Sequence, residues 1–180
     1  MKENLVKLFE GSIKQNWELP AFSNYMEEDH SYGEVGKEIK LLHYIFDKVD
    51  IKEGDKIAIF GKNTANWAIT YLAVVTYGAV IVPILPDFKA GDVHHIVNHS
   101  DARILFLNEV SFDILDESSM QNLDIVVSLK DFSILYKRKK NIEEIILKAK
   151  NEFTAKYSKD LTPEKFSMRE VKNQNLAAII

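Results

Sequence analysis

The sequence predicts an α/β protein with a mostly parallel sheet that is flanked by helices. Short runs of β-branched and other apolar residues alternate with longer segments in which apolar residues recur at helical spacing, and polar turns separate the two. Each short run is apolar on consecutive positions, which is typical of a strand buried on both faces. Strand, helix and strand in this order favour parallel pairing through right-handed crossovers.

The composition limits the classes of protein to consider. The chain has 180 residues, 46% hydrophobic and 28% charged, which is enough apolar material for one domain. Its formal net charge of −4 provides no overall positive field, so we expect no nucleic-acid partner. The lack of cysteine excludes disulfides and thiolate metal sites. The basic run Lys137–Lys140 is interpreted as a solvated turn before a helix.

Two features bear on location. The start of the chain, Met1–Asn4, leads into an amphipathic and charged segment, so we predict no secretory signal and a cytoplasmic protein. The stretch Thr64–Pro86 has no charged residue and is long enough for a membrane-span window. Gly78 and two prolines interrupt it, however, and its second half is short and β-branched. We therefore interpret it as a buried helix that leads into a buried strand.

The first predicted element is a packing helix that ends before Pro20. An extended piece, Ala21–Met26, and an acidic turn, Glu27–Asp29, follow it. Ser31 and Glu34 have the spacing of a capping box at the start of a second helix. The apolar stripes of the two helices are Leu5, Leu8, Phe9 and Ile13, and Val35, Ile39, Leu42 and Phe46.

The predicted sheet begins with the buried strand Ile57–Phe60. The loop Gly61–Thr64 opens a helix, with Asn63 or Thr64 as its N-cap, and Gly78 is placed to close that helix. The other predicted elements are strands at 80–82, 104–107 and 125–127, a helix at 91–100 and a last long helix from Asn141.

The end of the chain combines a covering helix, a polar segment and an apolar tail. Residues 158–175 are polar and too numerous for an ordinary connection. We interpret the tail, Leu176–Ile180, as an inner strand of the sheet. Because a polar turn usually follows such a strand, we expect the native protein to continue past Ile180. The apolar side of the covering helix is Ile142, Ile145, Ala149 and Phe153.

No complete catalytic motif is visible. Gly61–Thr64 lies between a strand and a helix as a P-loop does, but position 56 is Lys and position 63 is Asn, where that motif needs Gly and Ser or Thr. The chain also lacks the G-x-G-x-x-G fingerprint of dinucleotide binding and the G-x-S-x-G elbow of serine hydrolases.

Histidines on one predicted helix allow a metal site to be considered. Asp92, His95 and His99 would share one helical face, and His94 is adjacent. No Glu stands beside His95 to act as the base of a zinc hydrolase. Surface or hydrogen-bonded packing is therefore the favoured interpretation, and no metal site is predicted.

Four motifs follow one another along the chain: Ser31–Val35, Gly54–Ile59, Asn63–Trp67 and Tyr77–Pro83. Their order and spacing resemble those of the adenylate-forming acyl-CoA synthetase superfamily. The resemblance extends over nearly the whole chain, and the sequence is most similar to bacterial long-chain fatty acid CoA ligases.

The resemblance implies an AMP-forming ligase that joins a fatty acid to CoA through an acyl-adenylate and releases pyrophosphate. ATP, Mg²⁺ and CoA are then the cofactors and substrates of the full-length enzyme, and peripheral association with the inner membrane stays open. In this family a Ser/Thr/Gly-rich phosphate-binding loop follows a strand like Leu176–Ile180. The magnesium-binding Glu, the ribose-binding Asp and the C-terminal Lys come later still, so no catalytic residue can be assigned.

The resemblance also implies a division of the chain. We expect residues 1–180 to be the N-terminal part of the AMP-binding domain, with a helical segment at 1–50 and an α/β unit at 51–180. The phosphate loop and the C-terminal domain would be absent from it. We expect this part alone to be inactive and to bind no cofactor.

One candidate binding site follows from the resemblance. Some relatives bind the CoA nucleotide near the loop after the strand that begins Gly-Ala-Val, which here is Leu85, Pro86 and Asp87. The charge of Asp87 would repel CoA phosphates, so a proline-shaped loop that only ends a strand is the alternative. Trp67 and Tyr71 are interpreted as core residues.

Two other classes of function stay open. A stand-alone flavodoxin-like binding module would explain the sheet pattern, although it should have a polar cradle at the strand ends. A regulatory or interaction domain that evolved from a ligase would keep the fold without the chemistry. A reading frame that continues into a Ser/Thr/Gly-rich segment favours the ligase, whereas a stop codon favours the other two classes.

Overall fold

Four buried apolar runs form the centre of a sheet in the computed structural model, which describes residues 4–27, 29–157 and 160–180. The chain start at 1–3, Glu28 of the predicted acidic turn, and Ser158 and Lys159 of the polar segment lie outside the described residues. The helices are α1 Leu5–Gln15, α2 Tyr32–Lys48, α3 Ala65–Tyr77, α4 Ala90–His99, α5 Glu109–Phe112 and α6 Ile142–Tyr157. The strands are β1 Pro20–Ser23, β2 Asp29–Ser31, β3 Lys56–Phe60, β4 Val80–Ile84, β5 Ile104–Leu107, β6 Ile125–Ser128 and β7 Ile134–Lys137.

The main sheet has the strand order β4-β3-β5-β6-β7. Strands β3, β4, β5 and β6 pair in parallel, which confirms the predicted fold class. Strand β7 pairs antiparallel with β6 and was not predicted. Its four residues are only partly buried, so they lack the strong apolar signal of the inner strands. Strands β1 and β2 form a separate antiparallel pair.

Local signals at the helix ends are confirmed. The Ser31 hydroxyl accepts from the Glu34 amide at 3.2 Å, and the Glu34 carboxylate accepts from the Ser31 amide at 2.8 Å, so α2 has its capping box. Thr64 caps α3 by accepting from the Trp67 amide at 3.2 Å. Gly78 closes α3 with φ of +91°, a conformation that glycine adopts without steric cost.

The core consists of one apolar layer on each face of the sheet. Alternate strand residues contribute to each layer, because side chains alternate across a strand. One layer contains Ile57, Ile59 and residues of α2, α3 and α6, whereas the other contains Ala58, Phe60 and residues of α4. Trp67 and Tyr71 are half-buried at the margin of the first layer, and their rings stack at 5.4 Å.

Two predicted helical stripes need correction. In α1 the buried residues are Val6 and Ile13, whereas Leu5 and Leu8 are half exposed. The buried face of α1 therefore includes Val6 in place of Leu5 and Leu8, while Ile13 is buried as predicted. In α6 the apolar side is as predicted except that Ile146 is more deeply buried than Ile145.

The polar segment and the tail also differ from expectation. The segment buries Phe166 completely and Met168 almost completely, so it is part of the core. The tail pairs in parallel beside β4 through a bridge between Ile81 and Ala178, but Leu176 is 58% exposed. The prediction of an inner strand is wrong for this structure, because the tail lies on the outer edge of β4 with no strand beyond it among the described residues.

The uncharged stretch at 64–86 forms α3 and β4, as predicted. Among the helices of the described part of the chain, none combines the length and the apolar character needed to cross a bilayer.

Candidate functional site

The carboxyl ends of the four parallel strands meet at one edge of the sheet. In open α/β sheets ligands bind at this edge, most often where successive connections leave in opposite directions. Here the connection from β3 leads to β4 on one side, and the connection from β5 leads to β6 on the other side. The switch point therefore lies between the ends of β3 and β5.

The switch point is closed by the chain's own side chains. The Asn108 side-chain oxygen, after β5, accepts from the Lys62 amide, after β3, at 3.1 Å. A Cβ added to Gly61 would lie 2.0 Å from that oxygen. The Asn108 side chain can therefore lie this close to the backbone at position 61 only because the residue there is glycine. The Asn66 side chain donates to the Leu129 carbonyl at 2.9 Å and also binds the next carbonyl. These amides fix the loops to one another.

A buried serine extends this network. Ser128, at the end of β6, is fully buried, and its hydroxyl donates to the Glu109 carboxylate at 3.2 Å. The same hydroxyl accepts from the Lys130 amide at 3.0 Å. Its hydrogen bonds are thus made within the chain, and we assign it a structural role.

The loop after β4 contains the residues predicted to contact CoA. Leu85, Pro86 and Asp87 are exposed, and the Phe88 amide donates to the Leu85 carbonyl at 3.1 Å to close a turn. Only Leu85 of the three lines an adjacent cavity; Pro86 and Asp87 do not. The loop then enters α4, where the Asp92 carboxylate accepts from the Lys89 amide at 3.2 Å.

The adjacent cavity is an open groove between the end of β4, helix α4 and the tail. Its volume is about 470 Å³, within the range of ligand pockets. Its lining is mainly apolar, and the polar lining side chains come from α4. The lining residues are Val82, Pro83, Leu85, Phe88, His95, Ile96, His99, Ser100, Ile179 and Ile180.

The two histidines of the groove stack on each other. The rings of His95 and His99 are nearly parallel, with their centroids 5.7 Å apart. Asp92 is occupied by the cap of α4, and His94 points elsewhere, since its Nε2 accepts from the Asp116 amide at 3.0 Å. Within residues 4–27, 29–157 and 160–180, no three such side chains are placed to hold a metal ion.

The Asp116 turn supports this end of α4. The Ser118 and Ser119 side chains donate to the Asp116 carboxylate, and these bonds, that of Ser118 first, lower its pKa below the ordinary value. The turn fixes the ring of His94. His94 therefore lies against the Asp116 turn, whereas His95 and His99 line the groove. The groove was not predicted from the sequence; the aromatic Phe88 beside the charged Asp87 and Lys89 is the signal that could have revealed it.

At the opposite edge of the sheet lies an ion-pair cluster. Arg103 donates to the Asp55 carboxylate at 2.8 Å and to the Asp124 carboxylate at 2.9 and 3.1 Å. Burial acts to lower the pKa of Arg103, but the bonds to the two carboxylates raise it on balance. Because this cluster is at the amino ends of the strands, it connects turns and is remote from the groove.

Comparison with known proteins places this geometry in a family. The family model for AMP-binding enzymes matches residues 9–180. Long chain acyl-CoA synthetase 5 of Arabidopsis thaliana is 37% identical over 59 residues, which are 33% of this chain and 9% of that protein.

Solved structures match over a longer range. A coronafacic acid ligase from Pectobacterium brasiliense matches with a TM-score of 0.76 at 20% identity, and the match covers 98% of the present chain and 33% of the ligase chain. A long-chain-fatty-acid-CoA ligase from Archaeoglobus fulgidus matches with a TM-score of 0.68 at 15% identity, and the match covers 99% of the present chain and 34% of that ligase chain. At these identities the likeness shows the fold. The present chain spans about a third of the length of these solved chains.

Proposed function

Since the chain belongs to the AMP-binding enzyme family, whose model matches residues 9–180, we propose that it is the N-terminal part of an AMP-forming acyl-CoA ligase. The parent protein would convert a long-chain fatty acid, ATP and CoA into acyl-CoA, AMP and pyrophosphate through an acyl-adenylate. Two curated relatives support this substrate class by their names, long chain acyl-CoA synthetase 5 of Arabidopsis thaliana and long-chain-fatty-acid–CoA ligase 6 of Rattus norvegicus. We propose that residues 1–50 form its helical segment and 51–180 its α/β unit.

One observation carries the proposal: the direction of the tail. The Ile81 amide donates to the Ala177 carbonyl and the Ile179 amide donates to the Ile81 carbonyl, both at 3.0 Å. The tail thus runs parallel to β4. Residues that follow Ile180 in the parent would emerge at the carboxyl end of β4, beside Leu85. This is the edge where phosphate groups bind in parallel α/β sheets.

The residues present suit the apolar part of a ligand better than its phosphates. Leu85 and Phe88 line the groove, and Asp87 adds a negative charge next to it. If the loop Leu85–Asp87 contributes to a CoA site, we propose that it contacts the pantetheine portion. Phosphate binding would then belong to residues after Ile180, because backbone amides of a glycine-rich loop and Mg²⁺ provide the positive field.

ATP supplies the adenylyl group: the carboxylate would attack the α-phosphorus, pyrophosphate would leave, and the acyl-adenylate formed is a mixed anhydride in which AMP is a good leaving group. The contribution of this chain would be to position elements: β4 and the tail fix the start of the nucleotide loop, and the groove excludes water along one side. Neither role binds the phosphates of ATP or stabilises charge at its α-phosphate, so we propose that residues 1–180 alone are inactive. Binding of the parent at the inner membrane surface is a further proposal of the same account.

The test is palmitate-dependent ATP–pyrophosphate exchange. We expect exchange from a chain that continues past Ile180 through a Ser/Thr/Gly-rich segment, and none from residues 1–180. Measurable exchange by residues 1–180 would refute their inactivity. A continuing chain that adenylates no fatty acid would overturn the fatty-acid substrate class. A stop codon directly after Ile180 would overturn the ligase assignment in favour of a binding or regulatory module.

A further inference from the structure

The segment 160–175, here called the strap, crosses three helices before it reaches the tail. It begins with a turn in which the Phe166 amide donates to the Thr162 carbonyl at 2.9 Å. It ends where the Asn175 side chain donates to the Glu53 carboxylate. Between these points the residues anchored to the helices or to their ends are Phe166, Ser167, Met168, Arg169 and Val171.

The first half of the strap is fixed to α1 and α2. The Phe166 ring packs edge to face on Trp17 at 5.7 Å and fills the space beside Gly36, where an added Cβ would lie 3.0 Å from the ring. The Lys40 ammonium donates to the Ser167 carbonyl at 3.0 Å. The Met168 amide donates to the Glu10 carboxylate at 3.0 Å. These contacts hold the strap but do not reach the sheet.

Arg169 makes the connection from the strap towards the sheet. Its guanidinium donates to the Asp47 carboxylate at 2.9 Å and lies 4.1 Å above the centre of the Tyr77 ring. Tyr77 ends α3, two residues before β4. The single proton of its hydroxyl is shared between two acceptors, the Asp47 carboxylate at 2.8 Å and the Ile51 carbonyl at 2.7 Å. Arg169 thus contacts two helices at the point where the chain enters β4.

After Arg169 the strap follows the start of β4. The Val171 carbonyl accepts from the Asn4 side chain at 2.9 Å. The Val171 side chain packs beside Gly78, where an added Cβ would lie 3.5 Å from it. Six residues later the Ala177 carbonyl accepts from the Ile81 amide. The tail itself is held to β4 by only two hydrogen bonds. Its register must therefore be set by the strap, since so short a pairing is weak.

We propose that Arg169 is a positioning residue, which fixes the strap on Asp47 and Tyr77 and so holds the tail in one register on β4. Its exposed ion pair contributes little alone. Its stacking on Tyr77 adds a directional contact, because a planar guanidinium fits an aromatic face. The relevance of this register to a nucleotide loop rests on the proposed function; the register itself does not.

Hydrogen exchange in residues 1–180 tests the proposal, with two neighbouring amides as reporters. The Ile81 amide faces the tail, whereas the Val80 amide faces the turn before β3 and donates to the Asp55 carbonyl at 2.8 Å. In Arg169→Ala we expect exchange at Ile81 and Ile179 to accelerate roughly fivefold, and exchange at Val80 to stay unchanged. Arg169→Lys keeps the positive charge but lacks the planar guanidinium that stacks on Tyr77, so it should accelerate exchange less than Arg169→Ala does.

Glu170→Ala is the matched control, because Glu170 is the exposed neighbour of Arg169 and should leave all three amides unchanged. Equal acceleration at Val80 and Ile81 in Arg169→Ala would show a merely structural role and overturn the proposal, as would no acceleration at either. The measurement uses no nucleotide. A failure here leaves the ligase assignment intact, and a failed ATP–pyrophosphate exchange leaves the role of Arg169 intact.

Discussion

Gly61 shows how one residue controls the carboxyl edge of the sheet. It follows β3 with φ of +156°, and a Cβ there would lie 2.0 Å from the Asn108 side-chain oxygen. From the residue types alone the sequence indicated a loop at this position and Asn63 or Thr64 as the N-cap of α3, and the structure shows that the cap is Thr64. The partner Asn108 could not be predicted, because it is 46 residues away from Lys62, whose amide it binds. Contacts across strands depend on the strand order.

Gly61→Ala should therefore destabilise the chain. The methyl group forces Asn108 to move and breaks its bond to the Lys62 amide, so we expect a loss of about 1–3 kcal/mol in the free energy of unfolding. Urea denaturation measures it. Gly11→Ala is the control, because nothing lies within 4 Å of its added Cβ, and it should be neutral or stabilising. A Gly61→Ala chain as stable as wild type would contradict the described contact.

His43 predicts a pH dependence. It is buried between α2 and α3, where its Nε2–H donates to the Ala73 carbonyl at 2.9 Å. Burial lowers the pKa of His43 from the ordinary histidine value of 6.5 to about 3. The unfolded chain thus binds a proton between pH 6.5 and 3 that the folded chain does not. Stability is therefore fully present above pH 6.5 and is lost as pH falls through this window.

We expect His43 to reduce the free energy of unfolding by about 2 kcal/mol between pH 7 and pH 5. Urea midpoints at the two pH values measure the loss. In His43→Gln the loss should be smaller by that amount, whereas His95→Gln, at an exposed histidine, should keep it. A His43→Gln chain with the full wild-type loss would show that another group is responsible.

At the scale of elements, the strap is the least predictable part of the fold. Helices and inner strands follow from periodicity, and α2, α3, β3 and β4 begin and end close to where the sequence indicated. Residues 160–175 have no periodicity, yet Phe166 is completely buried. Its burial requires both Gly36 on α2 and Trp17 after α1, which are more than 100 residues distant. No local pattern contains that information.

Phe166→Ala tests whether the strap is part of the core. Removing a fully buried phenyl ring should cost about 3–4 kcal/mol, because a cavity remains beside Gly36. Phe88→Ala, the same change at a residue 38% exposed in the groove, should cost about 1 kcal/mol or less. Urea unfolding of both variants gives the comparison. Similar small losses for the two would place the strap outside the cooperative unit.

At the scale of the whole molecule, the fold class could be predicted from the sequence, but the position of the tail at the edge of the sheet could not. The inner strands carry their own signal, since both faces are covered by helices. The tail has the same apolar character, but it lies beside β4 with Leu176 and Ile180 exposed. A strand's position in a sheet depends on its neighbours. The sequence of the tail therefore predicts an inner strand, whereas the structure has a single parallel bridge at Ala178 on the outer side of β4.

The groove could be predicted only in part for the same reason. Leu85 was named from the resemblance, whereas His95 and His99 were considered for a metal and line an apolar groove instead. Their common site is created by the tail, which brings Ile179 and Ile180 opposite α4. Family membership explains why a loop after β4 is of interest. The geometry of the tail determines what that loop faces.

The central claim is that the tail, paired with β4, positions the nucleotide loop of a ligase, and one substitution tests it most directly. Ile179→Pro removes the amide that donates to the Ile81 carbonyl at 3.0 Å, whereas Ile179→Val keeps it. In a chain that continues past Ile180, we predict that fatty-acid-dependent ATP–pyrophosphate exchange falls roughly tenfold or more in Ile179→Pro and stays near wild type in Ile179→Val. Equal exchange by the two variants would contradict the account.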